Sequence, residues 1–202
     1  MADPLHKQSQ KRYAQDINRA RAWFKTHSGE TITSRLIRPD DADLLIDLFH
    51  QLSPETRRRR FHQNVDNLNS SLIQESARLL ADVDNKTQGG AVLAIAKDAD
   101  GTPHVVGVAR LGRPIGEPDD PMAEAAIVIR DDYHGEGLGT ELLRRLVLLA
   151  KQMEVKQMLA VIEADNTPAI RLFRELGLPT QIETTQGETT MIIDMPTEGE
   201  TE

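Results

Sequence analysis

The sequence predicts an α+β, or mixed α/β, domain with a central, mostly antiparallel sheet flanked by helices and an N-terminal helical extension. Three observations lead there. Short apolar runs of strand character alternate with amphipathic runs of helical period through residues 31–195. Two neighbouring strand-like runs, AVLAIAKD and HVVGVARL, flank Ala99-Asp100-Gly101-Thr102-Pro103, a hairpin signal. Residues 1–30 stand apart in charge, with six Lys or Arg against three acids, a net of +3, in a chain of 202 residues that carries −8 overall.

The elements follow in order. Leu5, Tyr13, Ile17, Ala20 and Phe24 recur at roughly helical spacing, which predicts an amphipathic helix over about residues 4–27, ending before Ser28-Gly29. TITSRLIR reads as a strand, and Pro39-Asp40-Asp41 supplies turn and cap for the helix ADLLIDLFHQL. Ser53-Pro54 starts another helix, because serine caps well and proline is tolerated in a first turn. SLIQESARLLA is a third helix, and Asn85 to Gly90 a loop. After the hairpin, AEAAIVIR is a strand that runs directly into a glycine-rich stretch and a helix of about 138–153. The strand QMLAVIE, the helix TPAIRLFREL closed by Gly177, and two strands around Gln181–Thr185 and Thr189–Met195 complete the domain. Residues 196–202 are a polar tail, expected to be disordered.

Composition narrows the chemistry. An acidic chain is a poor partner for nucleic acid, since phosphate binding wants a basic face. No cysteine occurs, so disulfides, thiolate metal sites and a cysteinyl thioester are excluded. The six histidines show no metal-ligand spacing, and no metal is expected. No segment reaches the roughly 18 apolar residues of a membrane span, and the N-terminus has no apolar signal core. The expectation is a cytoplasmic protein with no membrane or nucleic-acid partner; the N-terminal helix and an open sheet edge make a homodimer the expected assembly.

The glycine stretch, RDDYHGEGLGTELL, carries the function. Glycines at 135, 137 and 139 sit where a strand turns into a helix. A helix N-terminus offers unpaired amides and the positive end of the macrodipole, and glycine lets an anion reach them. Thr140 adds a hydroxyl. Glycine-rich turns of this kind also occur where nothing binds. A P-loop needs lysine after its last glycine, and Thr140-Glu141 stands there instead. A dinucleotide fold wants G-x-G-x-x-G on a first parallel strand, whereas this G-x-G-x-G follows an antiparallel meander with only 63 residues remaining after Gly139.

YHGEGLGTELL, followed by a helix, a strand and Asn166 in EADNTPAIRLFRELGL, resembles the GNAT superfamily of N-acetyltransferases. That family's loop reads Gln/Arg-x-x-Gly-x-Gly/Ala, and His134, Gly137 and Gly139 fall on its fixed positions. The resemblance covers about 31–195. RLIRPDDADLLIDLFHQLSPETRRRRF and AEAAIVIRDDYHGEG are most similar to the catalytic domain of bacterial Pat-type protein-lysine acetyltransferases.

The resemblance implies a splayed sheet and acetyl-CoA as co-substrate. Backbone amides over Gly135, Glu136, Gly137, Leu138, Gly139 and Thr140 would hold the CoA pyrophosphate, and Ile127, Val128 and Ile129 would pair with pantetheine, an amide near Ile129 polarising the thioester carbonyl. Asn166 belongs to the second motif. Glu124 stands where Pat-type enzymes carry their general base, and aliphatic neighbours would raise its pKa; the alternative is a strand-end glutamate in solvent. A base is needed because a lysine is free amine only about once in 10³ molecules at pH 7.

Two positions depart from the pattern. His134 replaces glutamine or arginine, so CoA affinity is expected to rise below about pH 6.5. Phe173 occupies the place of a general-acid tyrosine and is expected to pack against the cofactor arm or simply in the core. Arg144, Arg145 and Lys151 are candidates for the CoA 3′-phosphate, and Arg57 to Arg60, on one helix, point all round it. The expected acceptor is a protein lysine. The alternatives are a small amine such as a polyamine, amino acid or aminoglycoside-like compound, or a CoA-sensing module without turnover.

Overall fold

The computed structural model describes Ile17 and residues 22–196. Eight strands form one sheet in the order β1-β2-β3-β4-β5-β6-β8-β7. They are β1 Trp23–Lys25, β2 Thr31–Leu36, β3 Gly89–Lys97, β4 Pro103–Gly112, β5 Met122–Ile129, β6 Gln157–Glu163, β7 Thr180–Thr185 and β8 Glu188–Asp194. Helices α1 Ala42–Gln51, α2 Pro54–Phe61 and α3 Ser70–Ala81 lie between β2 and β3, α4 Leu138–Gln152 between β5 and β6, and α5 Thr167–Arg174 between β6 and β7. Every neighbouring pair is antiparallel except β5 and β6.

Side chains alternate across the sheet and create two cores. On one face Val92, Ala94, Val106, Leu111, Ala123, Met158 and Ile193 meet the apolar flank of α4, where Leu142, Leu143, Leu146 and Leu149 are fully buried. On the other face Ala91, Leu93, Ile95 and Val108 meet Leu48 and Leu52 of α1 and its end, and Ala81 of α3. The Ser53 cap forms as the sequence predicts, its hydroxyl accepting from the Thr56 amide at the start of α2; Asn69 caps α3 in the same way, accepting from the Leu72 amide, whereas Asp41 at the start of α1 makes no side-chain cap bond. Asp41, 3% exposed, takes both guanidinium arms of Arg35 at 2.6 Å and the Arg38 amide at 2.7 Å, which fixes β2 to the start of α1.

The N-terminal helix requires correction at its end. Trp23–Lys25 is a strand, paired with Thr31–Thr33, and Thr26 and His27 follow it outside any helix; of the predicted helix before Ala22, only Ile17 is among the described residues. Phe24, which the spacing predicts as the last member of a helical stripe, packs against the α4-side core from a strand, with the Arg145 guanidinium 5.6 Å from its ring. Helical spacing cannot register that β2 offers a free edge. The boundary drawn at residue 30 therefore falls inside the sheet. Of the tail at 196–202, all but Pro196 lies outside the described residues.

Candidate active site

β5 pairs with β6 only over Met122 to Glu124, opposite Gln157 to Leu159. Beyond that point β5 stays bonded to β4 as far as Ile129, and β6 to β8 as far as Glu163. The two strands part at Glu124, each held by its other neighbour. The Arg130 amide donates to the Val106 carbonyl at 2.9 Å. Backbone groups alternate along a strand, so Ile129 and Ile127 turn theirs away from β4 and into the gap. There a cleft of about 590 Å³ opens, walled by Ile127, Val128 and Ile129 on one side and by Pro168, Ala169 and Leu172 on the other.

The three glycines act differently. Gly135 and Gly137 have φ of 78° and 82°, a left-handed backbone that other residues adopt only with strain. At Gly139 a Cβ would lie 2.7 Å from a Leu172 methyl and 3.1 Å from Ile129. Its missing side chain lets the first turn of α4 sit directly against β5 and α5. The N-cap, Gly137, has no side chain to accept from the first amides. Leu138, Gly139 and Thr140 line the cleft at this uncapped end of a 15-residue helix, and the arrangement suits a phosphate.

Of the residues named from sequence, the structure brings Ile127 to Ile129, His134, Gly135, Gly137 to Thr140 and Asn166 together around the cleft. Glu136 is not among the lining residues, and its carboxylate accepts from the Ser28 amide at 2.9 Å. Asn166 caps α5, its side-chain oxygen accepting from the Ala169 amide at 3.3 Å. His134 lines the cleft, but its Nε2–H donates to the Ile129 carbonyl at 3.0 Å, so one of its two nitrogens serves the strand edge rather than a phosphate. Phe173 needs a correction as a cofactor contact. It is 2% exposed and in the core; a helix turns about 100° per residue, so its neighbour Leu172 faces the cleft instead. Arg145 is also committed, 6% exposed and 2.8 Å from Glu141.

Helix α2 spans the gap from the other face. Its N-terminus is fixed to the end of β5 by Asp131, whose carboxylate accepts from the Ser53 amide at 2.9 Å and from the Ser53 and Thr56 hydroxyls at 2.7 Å. Burial pushes the Asp131 carboxyl up, but these bonds outweigh it and hold it below the usual range. Arg58 pairs with Glu163 at the end of β6. The other arginines diverge, as their helical spacing predicts: Arg57 lies 3.4 Å from Asp66 and Arg59 2.6 Å from Glu55. Arg60 stands 5.2 Å over the Phe61 ring, and no hydrogen bond or ion pair holds its guanidinium among the described residues.

Glu124 is exposed at the vertex of the splay. Ala126, two residues along on the same face, pairs with Arg110. Burial lowers the affinity of the Arg60 guanidinium for its proton, and Glu124 opposes that. Arg110 is pushed down to about 10 by burial, with Arg60 adding repulsion. Both guanidiniums line a small pocket of about 60 Å³ with Leu45, Phe49, Leu80 and Val128. Sequence reasoning missed this pair, since Arg60 is hidden in a run of four arginines and Arg110 in an apolar strand. It also missed His27, which lines the cleft from 108 residues away along the chain. Among the described residues no cluster of His, Asp and Glu could hold a metal, and no helix is long and apolar enough to cross a membrane.

The sequence matches the family model described as Acetyltransferase (GNAT) domain over residues 32–179. A Pseudomonas aeruginosa acetyltransferase is 30% identical over 149 residues, 74% of this chain and 75% of that protein. The L-methionine sulfoximine/L-methionine sulfone acetyltransferase of the same organism is 36% identical over 96 residues, 46% of this chain and 54% of that protein. The GNAT domain of Streptomyces lividans PAT superposes with a TM-score of 0.72 at 20% identity, covering 86% of this chain and 96% of that one. Other structures of this fold were solved with acetyl-CoA or CoA. The splayed sheet, the uncapped α4 and the family match lead to one conclusion: this chain belongs to the GNAT family and is an N-acetyltransferase that takes its acetyl group from acetyl-CoA.

Proposed function

We propose that the chain transfers acetyl directly to a primary amine entering from the α2 side of the sheet, with Glu124 taking the amine's proton. The observation that carries this is the position of Glu124, the last β5 residue paired with β6 and so the residue where the gap begins. The uncapped amides of Leu138, Gly139 and Thr140 hold the CoA pyrophosphate beside Gly135 and Gly137, and the edge over Ile127 to Ile129, whose Ile129 carbonyl His134 already holds, receives pantetheine. Bound there, acetyl-CoA supplies the activated acyl group. An ammonium loses one proton to Glu124, directly or through a water, and the free amine forms the N–C bond as the C–S bond breaks. The Ile129 amide donates to the carbonyl oxygen as charge develops on it. The second amine proton leaves with the sulfur, so the step does not need an acid at Phe173.

A protein lysine is the first acceptor proposed, supported by the Pat-like stretches around α1, α2 and β5. A second reading, a small amine that carries a carboxylate, is favoured by Arg60 and Arg110, two arginines in one pocket, the first of which feels the charge of Glu124. Thiol release from acetyl-CoA, measured with lysine peptides, polyamines, free amino acids and their amides, separates the two. Free amino acids turning over well ahead of their amides establish the second reading, and peptide turnover establishes the first. CoA binding with no turnover on any amine supports a binding module instead. Glu124→Gln is expected to lower kcat by about 10² to 10⁴ while CoA still binds; wild-type turnover in that variant excludes Glu124 as the base.

A further inference from the structure

The turn between β1 and β2 is closed on itself and clamped to the glycine loop. Thr26, 5% exposed, donates its amide to the Glu30 carbonyl and accepts the Glu30 amide on its hydroxyl, both at 2.9 Å. Outward from this turn, the His27 amide donates to the Glu136 carbonyl at 3.2 Å, the Ser28 amide to the Glu136 carboxylate at 2.9 Å, and the Tyr133 hydroxyl to Glu30 at 3.1 Å. The His27 ring completes the clamp, with Nδ1 2.8 Å from the Gly135 carbonyl. A carbonyl only accepts, so Nδ1 carries the proton. Nε2 is then the other face of the ring, and it lies over Gly137: a Cβ built there would be 3.0 Å from it. Gly137 is the N-cap of α4, beside the amides proposed to hold pyrophosphate.

We infer that His27 is a phosphate-binding residue, taking up a proton at Nε2 when the CoA pyrophosphate settles on the N-terminus of α4. Neutral, the ring presents a lone pair to an anion, which is repulsive. Protonated, it donates through Nδ1 to Gly135 and through Nε2 to a phosphate oxygen, a charge-assisted bond. His134 cannot take this role with the same nitrogen, because its Nε2 is bound to the Ile129 carbonyl. The charges facing His27 pull both ways. Glu30 belongs to its own turn and Lys25 to the end of β1, Asp131, Tyr133, His134 and Glu136 to the loop, and Glu55 and Arg59 reach the cleft from α2. Hydrogen bonds from Ser28 keep the Glu136 carboxyl below the usual range, and attraction to His27 adds to this. The anion raises the proton affinity of His27, so the gain in binding is full at low pH and is lost as pH rises through the titration of the bound form.

The test uses 3′-dephospho-CoA, whose pyrophosphate keeps its charge across the range, and pantetheine, which lacks one. By calorimetry the wild type is expected to bind 3′-dephospho-CoA about tenfold more tightly at about pH 5.5 than at about pH 8.5. His27→Ala is expected to remove that gain, His134→Gln to retain it, and pantetheine to show none. A pH-independent wild type overturns the inference, as does a gain that survives His27→Ala or appears equally with pantetheine. Nitrogen NMR of the wild-type histidines covers the case in which His27→Ala does not fold: the His27 signals should move to the imidazolium pattern on adding 3′-dephospho-CoA at about pH 7, and a neutral ring in the complex overturns the inference. These readouts rest on CoA binding alone, so they stand apart from the identity of the acceptor and the role of Glu124.

Discussion

Arg113 and Arg60 are both cations drawn into the protein, and their surroundings differ completely. Arg113, 8% exposed, donates to three backbone carbonyls, those of Asp120 and Met153 at 2.6 Å and that of Thr87. It gathers the loop after β4, the approach to β3 and the end of α4 around one guanidinium. Arg60 lies on the face of Phe61, beside Glu124 and a second arginine, with no hydrogen bond or ion pair to its guanidinium among the described residues. A cation whose three nitrogens each donate to a backbone carbonyl is committed to the scaffold. A cation that folding leaves short of acceptors, at the rim of a cleft, retains capacity for a ligand at some cost in stability.

The strongest test of this contrast is Arg113→Met. Three carbonyls lose their donor, that of Met153 in the buried interior and the other two partly buried, so the unfolding free energy is expected to fall by about 3 kcal/mol in a urea titration. A loss below about 1 kcal/mol would mean that water replaces the guanidinium, and the distinction between scaffold and ligand-binding arginines would weaken.

Asp41→Asn extends the same idea to a satisfied pair. Burial raises the Asp41 carboxyl, and the Arg35 and Arg38 bonds outweigh it to leave it below the usual range. Removing its charge is expected to cost about 2 kcal/mol, less than at Arg113 because Arg35 is partly open to solvent. By linkage, this pair's contribution is present above the unfolded carboxyl pKa of about 3.9 and is lost as pH falls through the lower folded value.

Arg60→Met should behave in the opposite way. With no hydrogen bond or ion pair to break, stability is expected to stay within about 1 kcal/mol of wild type, while KM for a carboxylate-bearing acceptor rises about tenfold or more. A large loss of stability with KM unchanged would place Arg60 with Arg113 in the scaffold.

The same contrast explains what was legible in the sequence. Strands β3 to β6 and helices α1, α3, α4 and α5 are visible because each buries residues against the sheet, so hydrophobic periodicity marks them; α2, with no buried residue, is visible only through its Ser53-Pro54 start. The glycine loop is visible because positive φ at Gly135 and Gly137 demands one residue type. Contacts remote in sequence are not visible. Nothing in TITSRLIR or FKTHSGE says that His27 will meet Gly135, and the strand at Trp23–Lys25 exists because β2 has a free edge. Arg60 is one of four consecutive arginines, and only the position of α2, fixed at Asp131 and Glu163, decides which of them faces Glu124. Phe173 and Leu172 are adjacent apolar residues on one helix; which of them faces the cleft depends on how α5 is seated.

His104 lies between the two arginines in kind. Its Nδ1 donates to Asp47 at 2.8 Å, and Asp98 stands 2.9 Å from Nε2 but off the line of a hydrogen bond. The bond to Asp47 and the two negative charges raise its pKa. Its stabilising contribution is therefore complete below the unfolded histidine pKa of about 6.5 and is lost as pH rises through the higher folded value. Asp47 sets the acid limit: burial raises its carboxyl, the bonds from His104 and Gln51 outweigh that, and stability is lost as pH falls through its lowered pKa. A surface pair is worth little, so this is the smallest effect expected. Melting temperatures of the wild type and His104→Gln should differ most at about pH 6 and converge by about pH 9. A difference that stays constant over that range would mean that His104 acts as a neutral hydrogen-bond donor, satisfied by geometry in the way Arg113 is rather than by charge.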